Sequence, residues 1–296
     1  MTVAVVTDSA ASLPAALVER WGVRVVPQHL VLGGQDHPDG ALRLEEVLSR
    51  ASEGISTSAP SPGEFLAILE EVAGDGAVVI TVASEMSGTY KSAWLAATTL
   101  DGRVRVVDSR TAAGAEGLVV LAAARAASEG ASLDEVEELA NALAGQVQLI
   151  ATVPGLEHLV RSGRVPGLAG WAGRLLGLQP LFAFSHGRAR PLRPSQSRGA
   201  ALDRIVARCL EGDRDGAVLH LAAMHACAQE DAHVLVDRVG ARVSPATSFV
   251  AEFSPVMVAH TGPGLVGLGW RWERPAPSGY RGPGARRSRS SSRRHP

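Results

Sequence analysis

Residues 77–93, AVVITVASEMSGTYKSA, decide how the chain is read. Ala77–Val82 is an unbroken apolar run of mostly β-branched residues, which predicts a short buried strand. Ser84–Gly88 breaks the pattern, and the alanine-rich segment that follows predicts a helix to about Thr98. Strand, small-residue turn and helix in succession place a helix N-terminus at the mouth of a sheet. Its first N–H groups lack partners within the helix and carry partial positive charge, so the turn suits an anion.

Working outward, the same strand–loop–helix unit recurs. Upstream, Thr2–Val6 predicts a strand, Thr7-Asp8-Ser9 its following loop, and Ser12 a cap for a helix with Pro14 in its first turn. Arg24–Leu32 predicts a second strand, Gly33–Gly40 a turn-rich stretch and Leu42–Ala51 an amphipathic helix. The loop Ile55–Pro60 holds Thr57 and Ser58, and leads into Ser61-Pro62-Gly63-Glu64, a capping box with proline at the first helical position. Downstream, Val104–Val107 predicts a strand, Ala115–Ser128 a helix, and Ser132 with Glu135 a second capping box heading a helix to Ala144. This recurrence predicts an α/β fold of two domains, with a largely parallel sheet in the first, residues 1–150.

Residues 151–273 are expected to form a mixed α/β domain. Val147–Val153 predicts its opening strand, 155–162 and 169–176 short helices, and Leu178–Phe184 with Arg188–Arg193 a hairpin. Then follow a helix at Arg198–Cys209, a strand at Ala217–Ala223, a helix at Glu230–Val239, and strands at Ser248–Phe253 and Val256–His260. The turn Thr261–Gly264 precedes a last apolar run to Trp272. Residues 274–296, rich in Pro, Ser, Gly and Arg, are expected to be a disordered basic tail.

Composition excludes several classes. With 296 residues, 46% of them hydrophobic, a sizeable core forms without metals or disulfides. Aromatics at 4% give no stacking surface for nucleic acid. The two cysteines, Cys209 and Cys227, make no CxxC pair, and no basic region precedes the first strand, so a cytoplasmic setting without a signal peptide is expected. The net charge of −1 conceals a body with 22 basic against 30 acidic residues, the remaining seven arginines lying at 274–296. That acidic body also argues against nucleic-acid binding.

Several motifs carry less than their letters promise. Gly262–Gly267 satisfies GxGxxG, but no βαβ unit follows it. Asp8-Ser9 and Asp36-His37-Pro38-Asp39 lack partners at metal-ligand spacing, so no metal or other cofactor is expected. By spacing alone Ser87 reads as a helix cap, Thr57 as a turn-closing hydroxyl, and His260 as the end of a strand before a Gly-Pro-Gly turn. A reading from another class makes the chain a small-molecule phosphohydrolase or kinase-like enzyme using Asp8 and Ser87.

Seven stretches in register resemble the DegV family of bacterial fatty-acid-binding proteins. They are VTDSAASLP (Val6–Pro14), TSAPSPGEF (Thr57–Phe65), SEMSGTYKSA (Ser84–Ala93), VDSRTAAGAEG (Val107–Gly117), LEHLVRSGRV (Leu156–Val165), LLGLQPLF (Leu175–Phe182) and AHTGPGLVGLGW (Ala259–Trp270). The resemblance implies a binding protein rather than an enzyme, with a whole palmitate-like fatty acid in an apolar tunnel between two domains. Members of the kinase-associated subgroup present the carboxylate to a separate ATP-binding fatty-acid kinase, which makes an acyl phosphate for phospholipid metabolism. Partners implied are therefore a fatty acid and that kinase, with transient membrane contact and no nucleic acid. Thr57, Ser87 and His260 fall on the family's carboxylate-contacting positions. Ser58 and the N–H groups of Gly88 and Thr89 adjoin them, and Arg198 keeps the last basic position of the family's stretch before the late helix, although Gln196 stands where an arginine is common. The sequence departs from the family at Gln179, where lysine is common, and at Ser162, where glycine is usual. Neutral hydroxyls suit such a site, because they hold a carboxylate without neutralising its nucleophilic oxygen.

Overall fold

The computed structural model describes residues 2–164, 170, 177–212 and 216–274. The helix expected at 169–176 and the basic tail lie outside the described residues, apart from Gly170 and Arg274. In chain order the first half holds β1 (Ala4–Asp8), α1 (Ala15–Trp21), β2 (Arg24–Val26), β3 (His29–Leu32), β4 (Gln35–Pro38), α2 (Leu44–Ser49) and β5 (Ile55–Ser58). It continues with α3 (Pro62–Val72), β6 (Ala77–Thr81), α4 (Thr89–Ala97), β7 (Val104–Asp108), α5 (Ala113–Ser128) and α6 (Leu133–Ala144). The second half holds β8 (Gln148–Thr152), α7 (Glu157–Ser162), β9 (Gln179–Ser185), β10 (Arg188–Ser195), α8 (Arg198–Leu210) and β11 (Val218–His225). It closes with α9 (Gln229–Gly240), β12 (Thr247–Glu252), α10 (Pro255–Thr261) and β13 (Val266–Glu273).

Three sheets result. The first is wholly parallel, in the order β2-β1-β6-β7. Every residue of β6 is buried, because helices cover both faces. Ala77 and Val79 join the cluster with Phe65 of α3 and Ala93 of α4, whereas Val78 and Ile80 join the one with α5 and α6. The second sheet, β10-β9-β8-β13-β11-β12, is mixed, with only β11 and β12 parallel. α8 and α9 cover one of its faces through Leu202, Ile205, Leu235 and Val239. α5 covers the other face and also backs the parallel sheet, so it is apolar almost all round. The third sheet, β4-β3-β5, is small and antiparallel, and α10 packs on it.

Several expectations need correction. Arg24–Leu32 is not one strand: Pro27, which has no N–H to give a ladder, separates β2 from β3, and the two enter different sheets. Gly33–Gly40 is not merely turn, because Gly33 and Gly34, both at positive φ, close a two-residue hairpin between β3 and β4. Thr57 and Ser58 sit on strand β5 rather than in a loop. Val256–His260 is helical: the Ser254 hydroxyl caps α10 and Pro255 opens it. At the other end of the chain Ser12 does not cap α1; it has φ 50°, and Pro14 stands at the N-cap of that helix.

Candidate ligand-binding site

Strands β1 and β6 are neighbours, but the chain leaves β1 toward β2 and β6 toward β7, in opposite directions across the sheet. A crevice opens beyond the carboxyl ends of strands at such a switch point. Here it leads into a cavity of about 880 Å³, counting its mouth. The parallel sheet contributes Ala10, Gln28, Val82, Met86 and Ser87, and the approach to α5 contributes Ala112 and Ala113. The mixed sheet contributes Leu149, Ala151, Phe182, Phe184 and Met224, so most of the wall is apolar.

One group of hydroxyls and an imidazole interrupts that wall. Val256 and Ala259 of α10 pack with Leu30, Leu32 and Ile55 of the small sheet, which sets the last turn of α10 beside β5. The His260 Nε2 and Thr57 Oγ1 consequently meet at 2.8 Å, and both line the cavity with Ser58 and Ser87. The Ser87 hydroxyl oxygen accepts the Thr89 N–H at 3.3 Å and lies 2.7 Å from the Thr89 hydroxyl. With both donated to it, the proton of Ser87 is left for a ligand. In the same way, an Nε2–H donated to Thr57 leaves the Thr57 proton for a ligand.

Not every expected residue arrives. Gly88, which precedes α4 as its N-cap, does not line the cavity. Thr89 is fully buried with its N–H spent on Ser87, so the helix end acts through that hydroxyl rather than through open N–H groups. Arg198 heads α8 and pairs with Asp231 of α9 at 2.5 Å, away from the cavity wall. Asp8 is wholly buried with both oxygens accepting hydrogen bonds, and it does not line the cavity that Ser87 lines. Sequence reasoning missed Gln28, Ser162, Arg164 and Thr261 as lining residues. Arg164 stood in the RSGRV stretch, noticed only as a family mark. Gln179 holds strands together, donating to Thr152 Oγ1 and to the Val153 carbonyl.

The sequence profile of the DegV family, described as a family of uncharacterised proteins, matches residues 2–273. The chain belongs to the DegV family. A DegV domain-containing protein of Mycobacterium tuberculosis is 37% identical over 277 residues, covering 90% of this chain and 96% of its own. One from Streptomyces coelicolor is 35% identical over 274 residues, with 90% and 97% covered. Among solved structures, a fatty-acid-binding DegV family protein from Thermus thermophilus matches with TM-score 0.84 and 30% identity, covering 92% of this chain and 99% of its own. DegV of Bacillus subtilis, a fatty acid binding protein, matches with TM-score 0.82 and 27% identity, covering 92% and 100%.

In this DegV family chain the polar end of the cavity is electrostatically one-sided. Burial, with the Arg164 charge adding to it, pushes the His260 imidazole down to about 4, so it is neutral near pH 7. A neutral imidazole beside a guanidinium leaves the site receptive to an anion. A carboxylate held within ~4–6 Å would oppose the shift, because an opposite charge favours the protonated ring by about one to three pH units. Titration of the His260 ring by NMR is therefore expected to give a midpoint near 4 in the lipid-free chain and a higher one after loading with oleate. Equal midpoints in the two states would place the carboxylate elsewhere. Free of ligand, the folded chain binds this proton more weakly than the unfolded chain does. His260 thus removes stability as pH falls from 6.5 toward 4, and none above that window.

Proposed function

We propose that the chain binds one long-chain fatty acid, its carboxylate at Thr57, Ser87 and His260 and its tail along the apolar wall, and presents it to a separate ATP-dependent fatty-acid kinase. The observation that carries this is the 2.8 Å contact of Thr57 with His260 inside a cavity otherwise walled mainly by Ala, Leu, Met and Phe. One hydrogen-bonding end on an apolar pocket is the complement of an amphiphile with a single charged group. Fatty-acid binding by the Thermus and Bacillus relatives supports the same ligand. The tail supplies most of the affinity, at ~0.8 kcal/mol per buried methylene. The head-group hydroxyls set register and keep the carboxylate oxygen nucleophilic for phosphoryl transfer. Binding without catalysis by the chain itself follows from this division of labour. The described residues include no helix long and apolar enough to cross a membrane, and no group of three or more His, Cys, Asp and Glu able to hold a metal.

Mass spectrometry of the purified, then denatured, chain is expected to release co-purifying long-chain fatty acids of about C14–C18, whose apolar tails match the Ala, Leu, Met and Phe wall. A chain that carries none and hydrolyses ATP or phosphate esters by itself would overturn the proposal. With the kinase and ATP present, His260→Ala is expected to reduce acyl-phosphate formation more than lipid retention. Retention rests on the tail, whereas His260 orients the Thr57 hydroxyl, whose hydrogen bond to the charged carboxylate is worth about 1.5–3 kcal/mol. Unchanged acyl-phosphate formation in the variant would remove the positioning role.

A further inference from the structure

We propose that Asp8 is a positioning residue for acyl binding: its buried carboxylate fastens three separate wall segments of the cavity, at Ala10, Gln28 and Val82, and extends through Gln28, Ser9 and Asp39 to the helix that carries His260. This rests on the fatty-acid reading above.

Asp8 ends β1 and has no exposed surface. Its Oδ1 accepts the Ala10 N–H at 2.9 Å and the Gln28 amide at 3.2 Å, and its Oδ2 accepts the Val82 N–H at 2.9 Å. Ala10 follows β1, Gln28 lies between β2 and β3, and Val82 follows β6. All three line the acyl cavity, yet Asp8 does not. Besides holding the switch point open, the network runs on. The Gln28 N–H donates to Ser9 Oγ at 3.0 Å, Ser9 donates to Asp39 Oδ2 at 2.7 Å, and Asp39 Oδ1 accepts the Val256 N–H of α10 at 3.4 Å. α10 then ends at the His260–Thr57 contact. Two carboxylates, Asp8 and Asp39, thereby tie the sheet that shapes the tail channel to the helix that meets the head group.

Burial pushes the Asp8 carboxyl up to about 6 in spite of its three donors, and the Asp39 charge adds to the rise. Glu116 on α5 also faces it; burial and the charges of Asp8 and Asp108 hold that carboxyl well above the usual range. Protonating Asp8 weakens the acceptor on which all three wall segments depend. Acyl affinity should accordingly fall as pH drops through the region of 6.

The test compares the full chain with Asp8→Asn, after removal of native lipid, by oleate binding between pH 5 and 8 and by thermal unfolding. Loss of an ionic acceptor predicts about tenfold to a hundredfold weaker oleate binding in the folded variant at pH 7.5. The ratio between parent and variant should shrink toward unity as pH falls below 6. Oleate's own carboxyl titrates against both proteins alike, so the difference in profiles reports Asp8. A folded variant with the parent's affinity at every pH would overturn the assignment, even if it melted earlier. Should Asp8→Asn fail to fold, Ser9→Ala cuts the network outside the cavity. It is expected to weaken oleate binding severalfold and to move the His260 imidazole resonance, and no change in either would overturn the assignment. A parent chain that holds no oleate takes down the fatty-acid reading with it. A parent that binds, matched by its variants, takes down the positioning role alone.

Discussion

Gly269→Val is expected to cost about 3 kcal/mol of folding stability, the upper end of what overpacking a core does. Gly269 lies in β13 between Ala222 of β11 and Leu149 of β8. A Cβ there would come within 2.9 Å of the N, Cα and Cβ of Ala115, in the first turn of α5. Two of those atoms are backbone, so no side chain can swing aside. The neighbouring contact is equally close: a Cβ on Gly114 would meet the Ala222 Cβ at 2.7 Å. Small residues on the helix and on the sheet interlock, and α5 cannot retreat because the parallel sheet backs it. Against a typical total of about 5–15 kcal/mol, such a loss should show as a clear drop in the denaturant midpoint. Gly199→Ala on α8, where a Cβ meets nothing within 4 Å, should instead gain up to about 1 kcal/mol from helix propensity. An unchanged midpoint for Gly269→Val would mean that α5 does not sit on the mixed sheet at this distance.

The same helix shows why parts of the architecture were legible. β6 and α5 are long apolar runs with clear limits, and the caps at Ser61-x-x-Glu64 and Ser132-x-x-Glu135 form as their letters say. Local chemistry settles such features. Where it gave two signals, the weaker-looking one won. In Ser254-Pro255-Val256 the β-branched residues pointed to a strand, but the serine–proline start is the signal already seen at Ser61-Pro62, and it sets a helix. Ile55–Ser58 looked like a loop because its partner β3 had been absorbed into a strand of another sheet. The site depended on such assignments. Thr57 and His260 are 203 residues apart, and their contact exists only because α10 is a helix packed on β3 and β5. Nothing local announces Arg164 as the charge that acts on His260, or Asp8 as the anchor of three wall segments. Both follow from which strand ends converge, a property of sheet order rather than of any short stretch.

Ala151→Leu is expected to reduce affinity for sixteen- and eighteen-carbon acids while leaving the lipid-free chain as stable as before. Ala151 stands on β8 opposite Phe182 of β9, and both residues line the cavity with Leu149 and Phe184. An isobutyl group in place of a methyl extends into space that the tail would fill, so it displaces ligand rather than protein. If it excludes two to three methylenes, at ~0.8 kcal/mol each, binding weakens by about 15- to 50-fold. The head-group contacts proposed for Thr57 and His260 would be untouched, so acids short enough to stop before Ala151 should keep their affinity. Isothermal titration with a series of saturated acids separates the two ends of the site. Loss growing with chain length places the tail along β8, whereas equal loss at every length means that the larger side chain disturbs the head group. Undiminished binding of palmitate and oleate, in a variant that still folds, would show that the tail runs along some other wall.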